Sequence, residues 1–394
     1  MRETTGERRA AWLFLFVLGL ALALRLWRGL GASLWLDELH SLHQAGADTL
    51  PALFEGLSRD NHPPLHFLVL RGFRAVLGDS ELALRLPSMI FALAAIGVLW
   101  RLATGVLDTR GRAAAAIALA VSSLHVVGGA EARMYALLAL AVVGLIDGLV
   151  ALLDRRGGAW RVFVWTAIGL HTHYWFLHAL AVLVPVTAYL VLRWARYRSA
   201  ARPLALGLLG GVLVALPWYL TVFLDQLAHK LPPGSSAVDP LRFFEALVHL
   251  QFFDLSLGGV LLRPAFLFCG AAGLALALTG VAGLVLGVRE HGRPATVALA
   301  TAGAFLAPAF ACAVAAVFPH AGFNWQYLAG STAPFALLLG AEASARGFLA
   351  PLRRAVVWIV LVGSGVLAGL NAAHPGHDDY RAGVRVVLAQ SEPG

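Results

Sequence analysis

Two adjacent carboxylates, Asp37 and Glu38, lie within Trp35-Leu36-Asp37-Glu38-Leu39-His40. A carboxylate that stays ionised near water can take a proton from an attacking hydroxyl as a general base. The same pair suits the start of a helix, with Ser33 as cap and the acids beside the positive end. Arg85 and Arg133 each open an apolar run. A guanidinium there can grip two phosphate oxygens at once. Snorkelling, or pairing with Glu81 or Glu131, would serve these arginines equally well. In Asn61-His62-Pro63-Pro64-Leu65 the prolines suit a first helical turn. That sets His62 at a helix N-terminus, where an anion is welcome, although plain loop-to-helix punctuation explains the motif as well. His171 and His173 could share a metal only on extended backbone, with Asp37 and Glu38 as distant partners. Tyr174 and Trp175 suit an aromatic belt at a membrane interface.

The elements that must position these groups follow from composition. The chain has 394 residues, of which 59% are hydrophobic and 13% charged. Soluble domains carry about 25% charged residues. Half that charge, with apolar runs recurring from end to end, excludes a disordered chain, a coiled coil and a single membrane anchor, and points to a polytopic α-helical membrane protein. The net charge of +8 comes from arginines in short clusters between apolar runs, with Lys230 the single lysine. That pattern sets membrane orientation rather than a phosphate-tracking face, so nucleic acid is not an expected partner. Cys269 and Cys312 both sit in apolar runs and form no disulfide framework or metal cluster.

About 11 spans are expected. The first is a retained helix ending near Trp27, with Arg25 and Arg28 snorkelling at its outer end. The others are near Leu82–Val106, Ala113–Val127, Ala132–Leu153, Val162–Leu170, Phe176–Leu192, Leu204–Leu224, Pro264–Val288, Ala295–Val317, Tyr327–Ala345 and Ala355–Leu370. Pro63–Leu77 is apolar but short, and Arg71 and Arg74 interrupt it. Laid flat at the interface, it leaves the clusters at Arg8-Arg9, Arg155-Arg156, Arg193–Arg202 and Arg353-Arg354 all cytoplasmic; as a span it would put the later ones outside. The outer face then holds a first loop at 31–81, a lid loop at 225–263 and a short extracytoplasmic tail at 372–394, around one integral membrane domain at 1–371. All but two of the 14 histidines, His125 and His291, lie in or beside outer segments. Cytoplasmic loops carry no P-loop and no GxGxxG followed by an acid, which disfavours nucleotide chemistry there. Asp147, an acid near the inner end of the expected span Ala132–Leu153, reads either as a functional group or as a cap near Arg155 or Arg156.

Taken in order, Asp37-Glu38, His62-Pro63-Pro64-Leu65, Gly78–Ser88, Glu131–Leu138 and Thr172–Trp175 resemble motifs of the GT-C superfamily of polyprenyl-phosphate-sugar-dependent glycosyltransferases. The likeness is strongest to the protein-mannosyltransferase and aminoarabinose-transferase branch and its RgtA/B/C/D-like bacterial relatives. It covers roughly residues 1–200, and the remainder only in hydropathy. The resemblance implies a GT-C-like bundle in the bacterial cytoplasmic membrane, working in the cell envelope. It would transfer a sugar, with inversion, from a polyprenyl-phosphate donor to a hydroxyl acceptor (lipid, polysaccharide or protein) on the extracytoplasmic face. Asp37, with Glu38 beside it, falls at the position of the family's general base, and His62, Arg85 and Arg133 fall where such enzymes handle the donor phosphate. Trp35, Asn61, Glu131, Tyr135, His173, Tyr174, Gln326 and Tyr327 would line the substrate site. No cofactor is obligatory on this reading, and a divalent metal stays open. Two departures stand out. The aminoarabinose branch has an acid and a lysine where this chain has Asn61 and His62, and related chains carry an arginine where this one has Gln326. A GT-C-like partner without catalysis and a lipid or sugar transporter are the competing classes; the scarcity of charge within the spans disfavours the transporter.

Overall fold

A computed structural model describes residues 5–229, 271–272, 275, 294–317, 325–344, 346 and 349–373. These residues form helices and their connections, with no strand among them. In chain order the helices are α1 (Thr5–Gly31), α2 (Leu36–Ala45), α3 (Leu50–Ser58), α4 (Leu65–Leu77), α5 (Glu81–Thr104), α6 (Thr109–Val121), α7 (Ser123–Ala130), α8 (Tyr135–Leu153), α9 (Ala159–Thr172), α10 (Phe176–Arg193), α11 (Ala201–Trp218), α12 (Leu224–His229), α13 (Pro294–Thr301), α14 (Ala307–Val317), α15 (Ala329–Ala343) and α16 (Ala350–Ala373). Five-residue π turns join α11 to α12 and α13 to α14.

Every apolar run within the described residues is helical. Among the described residues six stretches are long and apolar enough to cross a membrane: Glu7–Gly31, Glu81–Thr104, Tyr135–Leu153, Phe176–Arg193, Ala195–Gln226 and Ala350–Ala373. α6 and α7, bent by 55° at their junction, make a seventh when taken together. The expected total of about 11 is not reached by length among the described residues. α9 has 14 residues and α15 has 15, against the ~20 that a bilayer asks for. All but residues 271–272 and 275 of the expected span at Pro264–Val288, the expected lid loop beyond His229 and the tail from 374 onward lie outside the described residues.

α4 is 13 residues long, roughly 20 Å, which is short of the ~30 Å hydrocarbon core. Its two arginines find partners at its side. Arg71 donates to the carbonyls of Ala45, Ala47 and Asp48, at and just beyond the C-terminal end of α2, where orphan acceptors gather. Arg74 pairs with Asp79. This matches the expectation of a helix that does not span.

α8 is buried along its whole length, from Tyr135 to Leu153, as befits a helix that is apolar all round. Its one acid, Asp147, ties three helices together. Asp147 Oδ2 lies 2.6 Å from Arg101 Nη2 of α5 and 3.2 Å from Arg161 Nη1 of α9. Neither Arg155 nor Arg156 is its partner, and the pairing reads as architecture.

Arg25 and Arg28 also differ from expectation. Neither snorkels; both are buried. Arg25 donates to the carbonyls of Ala21 and Ala120 and reaches His125 Nδ1 at 2.7 Å, so its charge sits at the break between α6 and α7. Helix-end carbonyls attract a cation, and that outweighs the pull of the interface. Arg28 donates to Asn371 O at 2.7 Å and pairs with Glu131 at 3.3 Å, binding α1 to α16 and to the connection after α7.

Candidate active site

The segment expected to form the first outer loop begins with α2. Its N-cap is Trp35, not Ser33, and Glu38 reaches back to accept the Trp35 N–H at 3.3 Å. Consecutive helical residues point about 100° apart, so Asp37 and Glu38 face different surroundings. Glu38 is fully buried and Asp37 is 37% exposed.

Glu38 meets Arg85 in a two-point contact, Nε to Oε1 at 2.8 Å and Nη2 to Oε2 at 2.7 Å. Arg85 Nη1 donates to Gly29 O and Ala32 O, and Nη2 also donates to Ser33 O. A guanidinium has five N–H donors, and these five bonds use them all. Arg85 is 1% exposed. The structure therefore corrects two expectations. Arg85 has no donor left for a phosphate, and Glu38 is its counter-ion rather than a second acid in the chemistry. The pair fixes the turn between α1 and α2 against α5.

Arg133 is placed differently. It lies in the connection between α7 and α8, whose backbone is anchored from three helices. Glu38 Oε1 accepts the Ala132 N–H at 2.8 Å, His66 Nε2 meets Ala132 O at 3.1 Å, and Ser88 Oγ donates to Arg133 O at 3.0 Å. Donation from Nε2 fixes the tautomer of His66; burial, helped by the Arg133 charge, pushes its pKa down to about 3. So held, Arg133 Nη1 donates to Asp37 O and to Ser41 Oγ, and Nη2 stands 3.7 Å from Asp37 Oδ2. Its Nε is buried and has no partner among the described residues. The guanidinium also lies 5.9 Å from the Tyr135 ring centre.

Around Arg133 gather further expected residues. His173 ends α9 on extended backbone, and its Nδ1 accepts the Trp175 N–H at 3.0 Å. The remaining nitrogen, Nε2, then carries the proton; it is buried without a partner among the described residues. The His173 ring packs 4.8 Å from Tyr327, 5.6 Å from His62 and 6.2 Å from Tyr135. Burial, with His62 and Arg133 close by, holds its pKa well below the ordinary histidine value. Gln326 is buried on the short turn Trp325–Leu328 that carries Tyr327.

Four expected residues do other work. Tyr174 donates to Gln226 at 2.6 Å and accepts from Trp218, while Gln226 donates to Leu57 O, so Tyr174 joins α11, α12 and α3. Glu131 belongs to Arg28. Trp35 is the cap of α2, and Asn61 is exposed.

Three residues here escaped the sequence reading. Asp60 bonds His62 Nδ1 at 3.3 Å and His40 Nε2 at 3.1 Å. Burial would raise the Asp60 pKa, but the two imidazole bonds win and hold it well below the usual carboxylate range. The bond to Asp60 raises His40; burial dominates at His62 and lowers it. Ser41 lies one turn after Asp37. Its position at i+4, with His40 at i+3, is the signal that could have found these two. Among the described residues no group of three or more His, Cys, Asp or Glu is arranged to hold a metal ion.

Comparison with known proteins bears on the fold. Residues 61–220 match the family model for dolichyl-phosphate-mannose-protein mannosyltransferases. ArnT from Cupriavidus metallidurans bound to undecaprenyl phosphate superposes with a TM-score of 0.60, at 15% identity, over 97% of this chain and 81% of ArnT. The chain has the GT-C fold. Other GT-C structures agree. Apo ArnT gives a TM-score of 0.59 at 15% identity, covering 93% of this chain and 77% of that one. The oligosaccharyltransferase AglB from Archaeoglobus fulgidus, in complex with an inhibitory peptide and a dolichol-phosphate, gives 0.52 at 13% identity, covering 96% of this chain and 58% of AglB. No curated protein matches by sequence. Within the GT-C fold shared here, Asp37, Arg133, His62, His173, Tyr135 and Tyr327 come together, whereas Arg85, Glu131 and Tyr174 brace the scaffold.

Proposed function

We propose that the protein is an inverting glycosyltransferase that moves a sugar from a polyprenyl-phosphate donor to a hydroxyl acceptor on the extracytoplasmic face of the membrane. One observation carries the reading. Of the carboxylates placed around Arg133 and the His62–His173 rings, those of Glu38 and Asp60 are buried and bonded, while that of Asp37 stays partly exposed beside the buried Arg133. The match to the mannosyltransferase family model and the undecaprenyl phosphate bound to ArnT support the donor class.

Asp37 accepts the proton of the acceptor hydroxyl as that oxygen attacks the anomeric carbon. The bond from that carbon to the phosphate oxygen breaks, and the electron pair leaves with the lipid phosphate. One displacement inverts the centre and needs no carboxylate nucleophile. Arg133 supplies fixed positive charge where the phosphate gains negative charge. A lipid-anchored donor arrives by diffusion within the membrane, so the protein needs no nucleotide-binding domain.

The test is sugar transfer in membranes given a panel of labelled polyprenyl-phosphate sugars, with wild type and Asp37→Asn in parallel. A wild-type signal that falls by about 100-fold or more in the variant supports both donor class and base. Transfer that survives the substitution removes Asp37 from the role. Absence of transfer with every donor sinks the enzyme reading.

A further inference from the structure

The far ends of α8 and α9 form a second feature. α8 has 19 residues, so Leu153 lies roughly 27 Å from Tyr135. That is close to the ~30 Å hydrocarbon thickness, which sets the far end at the opposite membrane surface. A cavity of about 590 Å³ lies there, lined among others by Leu152, Arg155, Gly158, Trp160, Ser199 and Pro203. The chain reverses tightly beneath it through Gly157 and Gly158, at φ 77° and 119°. A side chain at Gly158 would meet Gly148 O at 2.7 Å and the Leu152 backbone at 2.8 Å, so the turn is pressed onto α8.

Charge around this cavity is one-sided. Arg155 gives one N–H to Arg196 O at 3.1 Å. Arg193, Arg196, Arg198 and Arg202 are exposed on the adjoining segment and form no ion pair among the described residues. Of the neighbouring acids, Asp154 pairs with Arg156 and Asp147 with Arg101 and Arg161. α9 starts at the cavity wall from Gly158, with no side chain capping its N-terminus.

We propose that this cavity binds the headgroup end of an anionic phospholipid, drawn from the leaflet opposite the candidate active site. Leu152, Trp160 and Pro203 offer apolar wall to the glycerol and first acyl carbons. Arg155, the Ser199 hydroxyl and the uncapped N–H groups of α9 face the phosphate. Unpaired arginines at headgroup depth favour net negative lipids over zwitterionic ones, whose own cation they repel. Trp160 and Trp194, exposed by 65% and 37%, mark the same depth. This site is independent of the transferase reading.

The experiment uses the full chain, purified and delipidated in neutral detergent. Thermal midpoint and native mass spectrometry are followed with phosphatidylglycerol, phosphatidylcholine or inorganic phosphate. Phosphatidylglycerol is expected to stay bound and raise the midpoint, and the other two to do neither. Arg155→Gln, alone and with Trp160→Ala, should weaken phosphatidylglycerol binding at least about tenfold. Arg112→Gln, at the start of α6, should change it less than twofold. Equal binding of phosphatidylcholine overturns the proposal. So does an Arg155 variant indistinguishable from the Arg112 variant. Stabilisation by phosphate alone equal to that by the lipid would replace it with a free-anion site.

Discussion

Glu38→Ala should damage folding, whereas Asp37→Asn should damage only chemistry. The Glu38 carboxylate takes two of the five Arg85 donor bonds and also holds the Ala132 N–H. Alanine leaves Arg85, 1% exposed, as a buried cation facing three carbonyls, with the partly exposed Glu81 at 4.0 Å as its nearest remaining carboxylate. Breaking one side of a buried pair costs about 3–5 kcal/mol. An orphaned buried N–H at Ala132 adds about 1–3 kcal/mol. The sum is a large part of the ~5–15 kcal/mol that holds a typical fold. Asp37 faces Arg133 at 3.7 Å and is 37% exposed. Such a pair contributes at most ~1 kcal/mol after solvent screening, and Arg133 keeps its bonds to Asp37 O and Ser41 Oγ. Yield, monodispersity and thermal midpoint in detergent read the first effect; transfer in membranes reads the second. Glu38→Gln, which keeps one carbonyl oxygen, should fall between wild type and alanine. A monodisperse Glu38→Ala protein with the wild-type midpoint and no activity would refute the reasoning, because it would put Glu38 in the chemistry.

Two further outcomes are expected. His62, His66 and His173 are all held below the ordinary histidine pKa, chiefly by burial. The unfolded chain takes up their protons as pH falls through about 6.5 while the folded chain does not, so stability present above that pH is lost below it, by up to ~1.4 kcal/mol per histidine per unit. His40 acts in the opposite sense, since its raised pKa stabilises below about 6.5 and that gain is lost as pH rises. The thermal midpoint should therefore drop between pH 7.5 and 5.5, and His66→Gln should make the drop shallower; an unchanged slope would contradict the assignment. Asp147→Asn should lower the midpoint by loosening α5, α8 and α9, at about 1–3 kcal/mol because Arg101 is half exposed and screened. The KM for donor should stay unchanged in that variant, and a shifted KM would show that the far end communicates with the site.

Much of the fold was legible because hydropathy needs no knowledge of partners: the long apolar runs became helices, and Arg71 and Arg74 kept α4 from reading as a span. Ser33 was misread as the cap because a serine competes well at that position, yet Glu38 reaching back to Trp35 decided the start of α2. The arginines were the hard part. Arg85 and Arg133 look alike in sequence, each opening an apolar run. What separates them is a set of backbone carbonyls, from Gly29, Ala32 and Ser33, that folding brings to Arg85. Carbonyls leave no mark in composition or motif. Asp60 was missed for a related reason: its two histidine partners lie 20 residues upstream and two downstream, and only the first contact is non-local.

Arg25 has a consequence for biosynthesis. It belongs to α1, yet its acceptor at Ala120 is 95 residues further along the chain. At ~5–20 residues per second, α1 waits on the order of 5–20 s for that partner. A lone arginine within a membrane helix costs up to about 3 kcal/mol on insertion scales. During that interval α1 must hold Arg25 toward water or keep to the insertion machinery. Its final depth is therefore set late, when α6 and α7 arrive and offer their broken ends to the waiting charge.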